Sequence, residues 1–328
     1  MLAVDKAEGL LADYFNKFGY FTLTGDESSK LNLTLLHDEM KSNARLYDSH
    51  RLQVYHCCLS VFHRLFVMSE EEENAQELEP IEDVLTYIQK KIFDIYKNDS
   101  IYYYLKLVFE FLSLEYYTYY KVHRKAEKYY EYVNDGLSNL LSNYTWYTYP
   151  SQFLHTKIHR ALRLGKVEEM YHENEVLFQN LELDKNNIPQ YINYAMYRVI
   201  ACHYAEKHEE AAHLINELLN EISLKRYPHA MLEIKGVLAL QYCLMKDFEL
   251  FNQLANSIQR QIRILGKENC AHIATFTKTL RISISYSKKD KKRKIQQLLE
   301  KMDNSNRKLF SPTQYIQMDD NLLDRLCL

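Results

Sequence analysis

Three of the five prolines in the chain, Pro150, Pro189 and Pro228, stand 39 residues apart, and each opens a run with apolar residues at three- and four-residue spacing. Proline is well placed at the first position of a helix, where the amide it lacks has no intrahelical partner. Equal spacing therefore marks helix starts that recur with one period. The three runs are PSQFLHTKIHRALRL, PQYINYAMYRVIACHYA and PHAMLEIKGVLALQYCL. After each comes a short polar turn and a second periodic run: GKVEEMYHENEVLFQNL, EKHEEAAHLINELLNEI and KDFELFNQLANSIQRQI. Met170, Ala211 and Phe251 are equivalent positions in the second runs, and stepping back 41 residues from Met170 reaches Tyr129 in HRKAEKYYEYVNDGL. Stepping forward reaches KKDKKRKIQQLLEKM. Such a chain folds by stacking one helix-turn-helix unit on the next.

Composition agrees with this. The 328 residues include only 7 Gly, whereas Rossmann sheets, P-loop enzymes and β-sandwiches use glycine freely at their turns and ligand loops. The pattern predicts an all-α chain of roughly fifteen helices. Gly165 and Gly266 follow apolar stripes and suit the left-handed position that ends a helix. Asp99-Ser100 offers a cap, and Ser311-Pro312-Thr313-Gln314 spells a capping box for a last helix.

Tyr204-Ala205-Glu206-Lys207-His208-Glu209-Glu210-Ala211, continuing to Ile215, resembles the tetratricopeptide family in its aromatic residue, turn and small residue, and Leu164-Gly165-Lys166-Val167-Glu168-Glu169 is similar to that family's inter-helix turn. The period is nearer 40 than 34, and Met170 and Phe251 stand where the family places a small residue. The resemblance implies a right-handed α-solenoid of antiparallel helix pairs that binds a peptide or protein along its concave face. The repeats are also similar to those of intracellular pheromone receptors of the Rap and PlcR type, but no basic helix-turn-helix precedes them.

Three segments are expected: residues 1–79 as an N-terminal helical cap or module ending in an acidic linker, 80–310 as the repeats, and 311–328 as a C-terminal capping helix. Within the first, helices are expected at 4–18, 31–47 and 50–68. Residues 20–30 read as a loop that allows a short hairpin, and 70–83 carry eight acidic residues and no basic one.

Fifteen of the 28 tyrosines lie between Tyr87 and Tyr149. Adjacent residues on a helix point about 100° apart, so runs such as Tyr102-Tyr103-Tyr104 leave some rings on a surface. Tyrosine combines rigid contact area with a hydroxyl and suits peptide recognition. Tyr102, Tyr103, Tyr116, Tyr120, Tyr194, Tyr197 and Tyr204, all on first helices of the units, are the candidate peptide contacts.

Other chemistry is sparse. His208-Glu209-Glu210-Ala211-Ala212-His213 has one residue too many for a zinc-binding HExxH, since i and i+5 lie about 140° apart. Glu169, His172, Glu210 and His213 form two Glu-x-x-His pairs one repeat apart, the spacing of a di-metal carboxylate bundle. With Met170 and Ala211 facing the core, however, both histidines fall on the wetted face. His155 with His159 and His56 with His63 share helix faces but have no third ligand nearby. No GxSxG elbow or glycine-rich phosphate loop occurs, so the sequence reads as non-enzymatic and without a cofactor.

The net charge of −3 argues against nucleic acid as partner, and Lys288–Lys294, with six basic residues, reads as a solvated turn. Six cysteines without a CxxC pair, no signal peptide and no apolar span point to a reduced, cytoplasmic protein without a membrane segment.

Overall fold

The computed structural model describes residues 2–47, 49–68, 78–96, 100–143, 149–178, 184–285, 291–300 and 310–327, and the described residues hold fifteen α-helices and no strand. In chain order they are α1 (Leu2–Thr24), α2 (Glu27–Leu46), α3 (His50–Phe66), α4 (Ile81–Ile88), α5 (Ser100–Tyr119), α6 (His123–Asn143), α7 (Tyr149–Leu164) and α8 (Glu169–Phe178). There follow α9 (Ile188–Tyr204), α10 (His208–Glu221), α11 (Pro228–Leu244), α12 (Phe248–Leu265), α13 (Ala271–Ser283), α14 (Lys291–Glu300) and α15 (Asp320–Cys327). Short polar side chains start several of them: Asp26, Asn187 and Asp247 each accept a first-turn amide, which supplies a partner to a group the helix leaves bare.

One turn recurs four times. After α5, α7, α9 and α11 the chain enters the left-handed region at Lys121, Gly165, Glu206 and Lys246, with φ of 57°, 68°, 59° and 61°. In each case the amide of the next residue bonds the carbonyl five positions back: Val122 to Tyr117, Lys166 to Ala161, Lys207 to Cys202 and Asp247 to Tyr242, at 2.8–3.0 Å. The left-handed residue's own amide bonds three positions back, at 3.0–3.3 Å. This is the Schellman arrangement, which satisfies two terminal carbonyls and reverses the chain. Five residues beyond each turn stand Ala126, Met170, Ala211 and Phe251, all buried. The equivalent of Met170 in the first of these pairs is therefore Ala126 and not Tyr129, because the turn sets the register.

The chain divides into two compact bodies, Met1–Phe21 with Asp26–Thr156, and Thr22–Gly25 with Lys157–Leu328. In the first, α2 packs on α3, α5 on α6, and α3 on both α4 and α5. Its core is aromatic, with the Phe62 ring edge-on to Phe15 at 4.9 Å and to Phe18 at 4.7 Å. In the second, α9 packs on α10, α11 on α12 and α13 on α14, while α8 meets α9 and α10 meets α11. Helix pairs thus follow one another in contact. α3 is in contact with α4 and α5, helices that follow residue 80.

Two local expectations are corrected. Residues 20–30 hold no hairpin: α1 continues to Thr24, Gly25 turns with φ of 63°, and Asp26 caps α2. The aromatic-rich end of α1, with Phe21 and Leu23 buried, finds core to pack on and stays helical. Nor is 311–328 one helix. Pro312–Tyr315 is a 3-10 turn, residues 316–319 are non-helical, and α15 follows. Ser311 makes no side-chain cap; its Oγ donates instead to the carboxylate of Glu233 on α11 at 3.1 Å. Thr313 Oγ1 donates to the same oxygen at 2.5 Å. The proposed cap at Asp99 and the acidic run at 70–77 lie outside the described residues.

Candidate functional site

The seven candidate tyrosines fall into three environments. Tyr194 and Tyr197, at 2% and 1% exposure, are core residues of the second body, with both rings edge-on to Phe178. They present no surface to a ligand. Period alone placed them on a first helix, but α9 is covered by its neighbours on either side. Tyr204 is also occupied: its hydroxyl donates to the Tyr315 carbonyl at 2.5 Å and accepts from the Gln317 amide at 3.1 Å. It fastens the C-terminal segment.

The remaining four lie on α5. Tyr102 is stacked on Tyr96, with centroids 5.0 Å apart, and Tyr103 is 64% exposed. Tyr116 and Tyr120 lie at the other end, roughly 20 Å further along at 1.5 Å per residue, so the four do not form one site.

Around Tyr116 and Tyr120 the structure assembles a continuous set of rings. Tyr119 meets Tyr120 at 5.1 Å, Tyr120 meets Tyr116 at 5.0 Å, and Tyr116 meets Tyr117 at 5.1 Å. Tyr117 then stacks on Tyr129 of α6 at 5.7 Å, with planes 15° apart. Tyr119 and Tyr120 are 53% and 49% exposed. The ladder bends around the α5–α6 turn because Lys121 reverses the chain there and brings Tyr129 back beside Tyr117.

The turn is basic. Lys121, His123, Arg124, Lys125 and Lys128 are exposed. Lys125 Nζ lies 4.9 Å from the Tyr117 centroid, and Lys128 Nζ lies 5.8 Å from that of Tyr129, within cation–π range. Lys125 also donates to Glu82 at 2.5 Å, and that ammonium holds the Glu82 carboxyl below the usual carboxylate range. Burial pushes the Tyr116 and Tyr117 hydroxyls up, with the Glu82 charge acting in the same direction, so both rings stay neutral donors. Tyr117, Tyr119, Tyr129, Lys125 and Glu82 were not among the candidate contacts. The run Tyr116-Tyr117-x-Tyr119-Tyr120 before a basic turn was the available signal.

The Glu-x-x-His residues do not converge. Glu169 pairs with Lys166 at 3.1 Å, Glu210 accepts from Tyr171 at 2.8 Å, and His213 lies 3.3 Å from Glu217. His172 is exposed, with its ring against Tyr171. Among the described residues no group of three or more His, Cys, Asp or Glu is placed to hold a metal ion. His208 belongs to a different network, bonded to Gln241 and Arg325, and the His159 ring packs on Tyr315 at 5.0 Å.

Residues 288–290 of the basic run lie outside the described residues. Of the rest, Lys291 donates to the Ser283 carbonyl, and Lys292 pairs with Asp320 and Asp324 at 3.0 and 2.9 Å. Five cysteines are buried and Cys327 is half-buried, with no disulfide among them; burial pushes the Cys57 thiol up to about 12. No described helix is long and apolar enough to cross a membrane.

Comparison with protein-family models, with curated proteins and with solved structures finds no match to this chain.

Proposed function

We propose that the chain is a non-enzymatic interaction scaffold, and that the tyrosine corner at the α5–α6 turn holds an acidic peptide segment of a protein partner. The observation that carries this reading is the five-ring ladder from Tyr119 to Tyr129 beside exposed Lys121, Arg124 and Lys128. Rigid aromatic rings supply contact area at small entropic cost, and tyrosine is enriched among the residues that dominate binding energy. Like-signed charge around the rings selects an oppositely charged ligand and speeds its approach. Paired helices explain how a long chain displays such a corner: the turn between α5 and α6 is an exposed tip between two packed helices.

Peptide-display selection against the full chain, followed by anisotropy titration of the selected peptides, tests it. Acidic sequences are expected to be enriched, and Y119S/Y120S is expected to weaken them at least tenfold without lowering the melting temperature. Selected peptides that carry no acidic bias, or that bind the double variant as tightly as the wild type, defeat the reading.

A further inference from the structure

In the first body, α2, α3 and α4 enclose a cleft of about 370 Å³, within the size range of small-molecule sites. Helical periodicity explains its walls. His37, Lys41 and Arg45 recur at i, i+4 and i+8 on α2, and His56, Ser60 and Arg64 do the same on α3. Val84, Tyr87 and Ile88 form one face of α4. Cys57, Ala44 and Met68 add to the apolar lining.

Charge in the cleft is one-sided. Among the described residues, Lys41, Arg45 and Arg64 line it, against a single carboxylate, Glu79. Arg64 is anchored by its Nη1 donating to the Glu79 carbonyl at 2.7 Å. Lys41 and Arg45 form no ion pair among the described residues. The histidines are held rather than mobile. His37 stacks on His63 at 4.8 Å and faces His56 at 6.5 Å, and His37 Nε2 is bonded to Ser60 Oγ at 3.2 Å.

His56 Nε2 is buried and has no hydrogen-bond partner among the described residues. Burial pushes the imidazole down to about 4, and the positive charge of Lys41 and Arg45 adds to that. A neutral ring that carries its proton on this unused Nε2, set in a positive field, can donate to an anionic oxygen. Leaving such an atom unpaired in a buried place is costly, and a ligand oxygen would relieve it.

We propose that this cleft binds a small amphipathic anion, its carboxylate or phosphate head held by Lys41, Arg45 and His56 and its apolar body lying on Cys57, Val84 and Ile88. The site shares no residue with the tyrosine corner, so either assignment stands or falls without the other. The one-sided charge excludes a cation, and the apolar walls disfavour a bare inorganic ion, whose hydration they cannot replace. A cleft of this size takes a body of roughly ten heavy atoms.

Calorimetric titration of the full chain with octanoate, octyl phosphate, 1-octanol and octylammonium, each below its aggregation concentration, tests the assignment. At least one of the two anions is expected to bind saturably and at least tenfold tighter than 1-octanol, with octylammonium weakest; which anion wins identifies the head group. Raising salt from about 50 to about 500 mM is expected to weaken the anion and leave 1-octanol unchanged. K41Q/R45Q should bring the anion to the affinity of 1-octanol, and hydrogen exchange should slow in α2, α3 and α4 of the wild type on binding. The proposal is overturned if neither anion saturates, if 1-octanol binds as tightly, if salt affects both alike, or if protection falls outside these three helices. Because the salt and exchange measurements use the wild-type chain, the outcome does not depend on the variant folding.

Discussion

Arg325 donates from Nη2 to His208 Nε2 at 2.5 Å, across 117 residues of sequence. A guanidinium can only donate, so His208 carries its proton on Nδ1 and donates it to Gln241 Oε1 at 2.9 Å. Gln241 in turn donates from Nε2 to His203 Nδ1 at 3.3 Å. The relay joins α9, α10, α11 and α15, and every member has a defined role only while both histidines are neutral.

Burial, with the positive charge of Arg325, pushes His203 down to about 3. A group whose folded value lies below its unfolded value stabilises the fold above the unfolded value and loses that contribution as pH falls. Stability should therefore decline from about pH 6.5 downwards, by about 2 kcal/mol at pH 5 from His203 alone. Calorimetric melting of wild type and H203Q at pH 7.5 and 5 checks this. The wild type should lose more on acidification, and an equal loss in both would remove His203 as the cause.

Glu115 acts in the opposite direction. It is buried on α5, accepts from Thr156, and burial pushes its carboxyl up to about 8 despite hydrogen bonds from Thr156 and Gln152 that favour the charge. For a carboxyl with a raised folded value, the contribution is present below about pH 4.5 and is lost as pH rises through 8. E115Q keeps the acceptor without the charge. Its stability relative to wild type should grow by roughly 3 kcal/mol between pH 4.5 and 7.5, as read from urea midpoints at the two pH values.

Scarce glycine leaves a trace in the turns. Of the four left-handed turn residues, only Gly165 lacks a side chain; Lys121, Glu206 and Lys246 adopt positive φ at a cost of about 1 kcal/mol each. K246G should raise stability by about 0.5–1 kcal/mol, because the strain it removes exceeds the added freedom of the unfolded chain. G165A should lower stability by a similar amount. A lowered urea midpoint for K246G would show that the Lys246 side chain contributes more than its backbone costs.

The helix-turn-helix period was legible because its signals are local: a proline at the helix start, an apolar stripe, a polar turn and a buried residue five positions beyond it. What local signals could not show is which face of a helix a third element covers. Tyr194 and Tyr197 look like Tyr116 and Tyr120 in sequence, yet one pair is sealed against Phe178 and the other stands at an open turn. The tyrosine ladder needed Tyr129 to return beside Tyr117, which depends on the turn register that stepping back by one period misplaced. The histidine cleft was missed for a related reason. Its α2 residues, His37, Lys41 and Arg45, form a polar i, i+4, i+8 stripe that carries no local signal of α3 and α4 closing over it.

Ser311 and Thr313 show the same limit, and they yield the last prediction. A serine before proline spells a cap, but both hydroxyls are buried and serve Glu233, while Thr313 Oγ1 also accepts from His272 Nε2 at 2.9 Å. Close to this contact, a Cβ on Gly236 would come within 2.4 Å of the Ile273 side chain and 3.3 Å of Thr313, so glycine there admits α13 and the C-terminal segment against α11. E233L would leave two buried hydroxyls without their acceptor, at about 1–3 kcal/mol each. The variant should lose roughly 2–4 kcal/mol and exchange amide hydrogens faster at 310–317 than the wild type. E233Q, which retains an acceptor, should recover most of the loss. Unchanged exchange at 310–317 in E233L would mean that the other contacts of the segment, the Tyr204 hydroxyl and the His272–Thr313 bond among them, suffice to hold it; Y204F in the same background then reads the share of Tyr204.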